Sequence, residues 1–288
     1  MGAMSTNDQR RFALVAGEAS GDLLAGLLLD GLEARWPALQ TVGIGGPRML
    51  AHGFQSWWPQ EKLAVRGYIE VLRHYAGIAC IRRQLKARLL RERPAWCIGV
   101  DAPDFNLGLE AGLRSEGIKT VHFVCPSIWA WRADRIDKIR AAADHVLCIF
   151  PFEPELLEKQ GVAASYVGHP IAKVIPMTPD RAAARAALGL DPEAQVVALL
   201  PGSRRSEIRY LAARFFAAAA LMQKAKPKLQ FIAPILPGLR AEVESLLQAA
   251  GMAGRVKLLD GQSHAALAAC DVTLIASGTA TLEAALFK

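Results

Sequence analysis

A chain of 288 residues is long for one ordinary core and suits two domains. Its 52% hydrophobic content is broken into short runs, none near the roughly 20 unbroken apolar residues that cross a bilayer, so a soluble protein or one lying on a membrane is expected. The net charge of +7 favours acidic partners (nucleotide phosphates, anionic lipid or nucleic acid) without choosing among them, and five cysteines with no C-x-x-C pair argue against a disulfide framework or a zinc site.

The first 11 residues are polar and lack the apolar middle of a secretion signal, which reads as a disordered segment or tag remnant on a cytoplasmic protein. RFALVAG is the first of six β-rich runs in the first half, with TVGIGG, WCIGVD, KTVHFV, HVLCIF and SYVGH; VVALLPGS, LQFIAP, VKLLDG and DVTLIASG follow in the second half. Their alternation with helix-patterned segments predicts two consecutive doubly wound parallel α/β domains. The first spans residues 12–170 and the second 181–288, joined by a proline-rich linker at 171–180.

The first strand runs into AGEASGDLLAG, where Gly17, Ser20 and Gly21 make a small-residue turn and Asp22 opens a helix. This spacing is not G-x-G-x-x-G, and Glu18 would repel a pyrophosphate. The turn therefore suits a hydroxyl-bearing ligand held by Glu18 and Ser20, unless Asp22 merely caps its helix. The segment VRGYIEVLRHYAGIACIRRQLKARLLRERP mixes apolar and basic residues, as an amphipathic surface meeting anionic lipid would, or as a core-facing helix with a solvated basic face would. WCIGVDAPDFN sets two acids around Ala102-Pro103: Asp101 ends a buried strand, and Asp104 suits the cap of a helix starting near Phe105. His122, inside an apolar strand, reads as a satisfied core histidine.

In VCPSIWAWRADRIDKIR, Trp129 and Trp131 stand beside Arg132 and Arg135, either as a ligand wall or as packing between domains. His169 ends a strand at the expected hinge. In the second domain LLPGSRRSEIRYL joins a turn at Gly202 and Ser203 to a fork of Arg204 and Arg205 and a helix that Ser206 could cap, a site suited to phosphate. SGTATLE offers donors from Ser277, Gly278 and Thr279, with Glu283 one turn later able to accept from ribose hydroxyls. Two such turns in one sheet suggest a nucleotide across its carboxyl edge. The chain stops after TATLEAALFK, leaving about four strands in the second domain against about six in the first, so that domain is either small or incomplete. Metal-spaced histidine clusters, G-x-S-x-G, Walker A and H-E-x-x-H are all missing from the sequence.

AGEASGD, GGPRM, GVDAPDFN, PSIWAWR, VGHP, LPGSR and SGTATLE, in this order from Phe12 to Leu286, closely resemble the lipid-A-disaccharide synthase family. The resemblance implies a GT-B type fold of two Rossmann-like domains facing a cleft. It also implies inverting transfer of 2,3-diacylglucosamine from its UDP-activated form to the 6-hydroxyl of 2,3-diacylglucosamine 1-phosphate (lipid X), giving a β-1,6-linked disaccharide and UDP. Asp101 then matches the family's catalytic aspartate, with Glu18, Ser20 and Gly21 in the acceptor pocket. Gly202, Ser203, Arg204, Ser277, Gly278, Thr279 and Glu283 hold UDP, and Trp129, Trp131 and His169 support the cleft. Neither a metal nor a cofactor is implied, the UDP-sugar being a substrate, and nucleic acid is no longer an expected partner. The acylated substrates imply peripheral attachment to the cytoplasmic face of the inner membrane. There Ile69, Val71, Leu72 and Tyr75, with Arg73, Arg82 and Arg83, would meet anionic lipid. Two departures stand out: Cys125 occupies a position where the family commonly shows serine, and family members continue for on the order of a hundred residues more. The rival readings are another UDP-sugar enzyme of the same fold, such as a UDP-N-acetylglucosamine 2-epimerase, or a peripheral lipid-binding fragment without catalysis. Oligomeric state is left open.

Overall fold

The computed structural model describes residues 10–63, 68–128, 135–202, 205–236, 238–276 and 278–288, and for residues 61, 68–76 and 279 it describes the backbone alone. The chain divides into two compact units between Pro170 and Ile171.

The first unit comprises β1 (Arg11–Ala16), α1 (Ala19–Arg35), β2 (Gln40–Gly45), α2 (Pro47–Leu50), β3 (Gln55–Pro59), α3 (Tyr68–Glu92), β4 (Trp96–Val100), α4 (Pro103–Arg114), β5 (Lys119–Phe123), α5 (Ile136–Ala142), β6 (His145–Cys148), α6 (Glu153–Glu158) and β7 (Ala164–Tyr166). Seven parallel strands lie in the order β3-β2-β1-β4-β5-β6-β7. β1 and β4 are apolar almost throughout because helices cover both faces of a parallel sheet. Leu85 and Leu89 of α3 and Phe105, Leu109 and Leu113 of α4 close over Ala13, Val15, Val42, Ile44 and Cys97. β3 is a seventh strand beyond the six expected. Its sequence QSWWP lacks the apolar run of a central strand because it is an edge, paired with β2 alone across a register shift at Gly43/Ile44. α3 runs unbroken through Gly77.

The second unit holds α7 (Ile171–Val174), α8 (Arg181–Ala187), β8 (Val196–Leu200), a short α9 (Arg205–Glu207) continuing through π-helical Ile208–Ala212 into α10 (Ala213–Ala225), β9 (Gln230–Ile235), α11 (Arg240–Ala249), β10 (Val256–Asp260), α12 (Ser263–Ala269), β11 (Val272–Ile275) and α13 (Thr279–Phe287). Its four parallel strands run β10-β9-β8-β11. One face packs Phe216, Val243 and Leu247 on Val197, Leu199 and Phe231. The other packs Leu188 and Leu267 on Val196, Ala198 and Ile232. Asp180 caps α8 by accepting from the Ala183 N–H at 2.9 Å.

Among the described residues, no helix is long and apolar enough to cross a membrane.

Candidate active site

In each sheet the direction of winding reverses at one pair of neighbouring strands: β1 and β4 in the first unit, β8 and β11 in the second. In open α/β sheets ligands bind beyond the carboxyl ends of such a pair, where the two departing chains separate and leave a crevice. Four of the loops singled out in the sequence are the loops at these two points.

In the first unit Ala16 pairs with Val100, so the loops after β1 and β4 leave side by side. A Cβ built at Gly17 would lie 3.6 Å from the Cβ of Ala102, and one at Gly21 would lie 3.4 Å from the Val100 carbonyl. This places half-buried Glu18 and Ser20 in the same neighbourhood as half-buried Asp101. Glu18, in extended backbone, occupies the N-cap position of α1.

Asp22 does not open this helix. It lies inside the first turns of α1, nearly fully buried, and its carboxylate accepts from the N–H groups of Gly46 (2.8 Å), Arg48 (2.9 Å) and Met49 (3.2 Å). It thus satisfies the free donors at the start of α2, a different helix, and pins the GGPRM turn. Gly46 must be glycine, since a Cβ would fall 1.9 Å from Gln60 Oε1 and 2.7 Å from Asp22 Oδ2.

The β4–α4 turn is tight. Asp101 (φ 52°) and Ala102 (φ 44°) are two consecutive non-glycine residues in the left-handed region, which costs energy unless surrounding bonds enforce it. Those bonds are present. The Asp101 N–H donates to Phe123 O at 2.9 Å, and the buried Asn106 amide donates to the carbonyls of Asp101 (2.8 Å), Val15 (3.2 Å) and Val100 (3.4 Å). Asn106, which the sequence reading did not single out, therefore ties the Asp101 turn to both strand ends.

Because of that turn α4 begins earlier than expected, with Ala102 at the N-cap and Pro103 at the first helical position. Asp104 is consequently not the cap. Its side chain is 87% exposed and pairs with Arg135 at 2.7 Å. Arg82 of α3 donates to the Asp104 carbonyl at 3.4 Å. Arg83 is exposed. The side chains of Ile69, Val71, Leu72, Arg73 and Tyr75, and Trp129, Trp131 and Arg132 altogether, lie outside the described residues.

His169 is half-buried, with its ring 6.4 Å from that of Phe150, which stacks on Phe152 at 5.8 Å. Among the described residues one group, Cys125, Cys148 and Glu153, brings three potential ligand atoms within 4.8 Å of one another, all buried. A hydrogen bond with Cys148 and burial push the Cys125 thiol far up, and its Sγ donates to Pro126 O at 3.3 Å. Cys125 is thus a protonated thiol, and both cysteines pack as small hydrophobes.

In the second unit Ile275 pairs with Leu200, and the Ala276 N–H donates to Leu200 O at 3.0 Å, so the two expected nucleotide loops also leave together. Gly202 (φ 142°) is required: a Cβ would fall 2.4 Å from that of Glu207. Ser203, Arg204 and Ser277 lie outside the described residues, as does the side chain of Thr279. α9 already includes Arg205, so Ser206 sits within its first turn and is not the cap. Arg205 and Arg209 turn to Glu242, at 3.7 and 3.0 Å, which removes Arg205 from the expected fork.

Gly278 (φ 152°) is the N-cap of α13. Glu283, one turn on, is largely buried and meets His264 Nε2 at 3.2 Å. His264 also escaped the sequence reading, since nothing local links α12 to α13.

The comparisons with known proteins agree with the motifs. The profile described as Lipid-A-disaccharide synthetase matches residues 12–288. The Lipid-A-disaccharide synthase of Albidiferax ferrireducens is 66% identical over 96% of this chain and 71% of its own length. That of Verminephrobacter eiseniae is 62% identical over 96% and 72%. Among solved structures, the UDP-GlcNAc 2-epimerase of Methanocaldococcus jannaschii in complex with UDP-GlcNAc and UDP superposes with a TM-score of 0.66 over 96% of this chain and 82% of its own. At 12% identity it shares the fold alone. The two parallel sheets are thus Rossmann-like units of the GT-B type, and the chain belongs to the lipid-A-disaccharide synthase family.

Proposed function

We propose that the chain is a glycosyltransferase that moves 2,3-diacylglucosamine from its UDP-activated form to the 6-hydroxyl of 2,3-diacylglucosamine 1-phosphate, releasing UDP. The observation that carries the reading is the pairing of the candidate loops at the winding reversals of both sheets, with Asp101 at one and Gly202 and Gly278 at the other. In this reading the first unit takes the acceptor and the second the nucleotide, residues 171–180 serving as the linker.

The Asp101 carboxylate takes the proton of the acceptor hydroxyl as its oxygen bonds to the donor C1; the C1–O bond to UDP breaks on the opposite face, and the electron pair leaves with UDP. Inversion gives the β-linkage. Glu18 and Ser20 hydrogen-bond acceptor hydroxyls, and Gly21 lets the first turn of α1 approach. Ser203, Arg204 and the backbone donors at Gly202, Ser277, Gly278 and Thr279 carry the departing diphosphate, so the step needs neither metal nor cofactor. Glu283, oriented by His264, accepts from the ribose. Trp129, Trp131 and His169 serve as support for the cleft in this reading. Attachment to the cytoplasmic face of the inner membrane runs through the N-terminal part of α3.

Incubation with both acylated sugars should release UDP and disaccharide 1-phosphate in equal amounts. Turnover of UDP-GlcNAc to its 2-epimer with no acceptor present would overturn the reading in favour of an epimerase.

A further inference from the structure

Two residues before Asp101, β4 carries Gly99, and the space its missing side chain leaves is filled by a carboxylate. A Cβ there would lie 2.0 Å from Glu110 Oε1 and 2.9 Å from the Cβ of Asn106. Glu110 and Asn106 are four residues apart on α4 and so share the face that lies on the sheet. Opposite Gly99 on β5 stands His122, whose Nδ1 lies 2.9 and 3.1 Å from the two carboxylate oxygens of Glu110. Both side chains are fully buried.

Burial pushes His122 toward the neutral form, but the Glu110 charge and hydrogen bond, together with the Asp101 charge, outweigh it, and the imidazole is raised above its ordinary value. Among the described residues, Glu110 from α4 and Asp101 from the β4–α4 turn are the charges that act on it. Cys97 on β4, close to Glu110, is held as a protonated thiol by burial, and β6 meets His122 with Val146. A buried ion pair recovers little net stability over a packed apolar pair, because desolvation takes back most of the Coulomb gain. A central-strand glycine and a fully buried carboxylate–imidazole pair next to a strained acidic turn therefore point to the acid.

We propose that Glu110 and His122 are positioning residues for the transfer: with Asn106 they hold the Asp101–Ala102 turn, and the contact with His122 keeps the Glu110 carboxylate paired beside that of Asp101. The proposal rests on the reading of Asp101 as the base. Loss of His122 alone leaves a like charge near Asp101, which disfavours its ionisation. Loss of both charges removes that effect while still loosening the turn.

The test measures kcat, both KM values, melting and the pH profile of kcat for the full chain and for Asp101→Asn, His122→Gln and the double variant Glu110→Gln/His122→Gln. His122→Gln should lower kcat roughly tenfold with KM changed less than about twofold, and should move the acidic limb up by about one pH unit. The double variant should return the limb to the wild-type position while kcat stays low. Wild-type kcat and acidic limb in a folded His122→Gln overturn the proposal and leave Asp101 as the base. A limb that stays shifted in the double variant overturns the balance of charge. If the single variant does not fold, wild-type kcat in the double variant overturns the proposal. Activity retained by Asp101→Asn removes the reading of the base, and the proposal with it.

Discussion

Asp22 and Asp101 stand at the same edge of one sheet, and their surroundings assign them opposite tasks. Asp22 spends both oxygens on three backbone donors, so it is bound to structure. Its replacement by alanine leaves those N–H groups unsatisfied in a buried site, which costs about 1–3 kcal/mol and should appear as a melting point lower by several degrees. Asp101 is half-buried, and its backbone is held by other residues' bonds rather than by its own side chain. Asp101→Ala should therefore lower transfer by about 100-fold or more with melting unchanged. Asp104, exposed and paired with Arg135, should behave differently from both: alanine there costs less than about 1 kcal/mol and leaves activity within about twofold. Equal loss of activity in the Asp101 and Asp104 variants, with melting unchanged, would undo the assignment of the base.

At the scale of elements, ten strands were legible in the sequence as short β-rich apolar runs, continuous where a parallel strand is buried on both faces, as in β1, β4 and β8. β3 was not, because QSWWP offers no such run, its two tryptophans standing between polar residues and a proline. The loops at the sheet reversals were legible through their glycines and serines, but the partners of those loops were not. Asp22 reads locally as a helix opener and acts on a segment 24 residues away. Asn106 and Glu110 left one trace: polar residues four apart on the stripe of α4 that also carries Leu113, facing a strand with glycine at its centre. Asp144 shows the same long-range bonding and gives a pH prediction. It accepts from the Thr120 N–H at 2.9 Å and from Arg114 Nε at 3.0 Å, joining the start of β5 to the end of α4. Burial pushes its carboxyl up, but the Thr120 bond and Arg114 outweigh this and hold it below its ordinary value of 3.8. A carboxyl depressed in the folded state stabilises above its unfolded value and loses that contribution as pH falls through its folded one. Asp144→Ala should thus be less stable than the parent by about 1–2 kcal/mol at neutral pH. The gap, read by urea denaturation, should narrow only below about pH 4. A gap independent of pH down to 3 would mean that the side chain acts through packing and not through charge.

At the scale of the whole molecule, the excess of basic charge is partly committed to internal contacts, and this sharpens what a membrane could recognise. Along α3, Arg82 reaches the Asp104 carbonyl, and Lys86 lies over Gly112, where a Cβ would fall 2.8 Å from its Nζ. Arg88 covers the Trp57 ring at 3.8 Å and pairs with Glu92. Arg83 and Arg91 are exposed, and in the proposed reading they would meet lipid phosphates. Arg82→Gln should therefore lower stability and leave lipid binding nearly intact, whereas Arg83→Gln should weaken sedimentation with anionic vesicles and flatten its dependence on salt. On the proposed membrane reading, replacement of Ile69, Val71, Leu72 and Tyr75 by serine should lower vesicle and detergent binding with melting unchanged, since apolar insertion and phosphate attraction would then act together on one helix. Unchanged sedimentation of the four-serine variant would remove the four apolar positions of α3 from the membrane contact. Release by salt alone in the parent, with no loss in that variant, would leave the exposed arginines as the whole of the attachment.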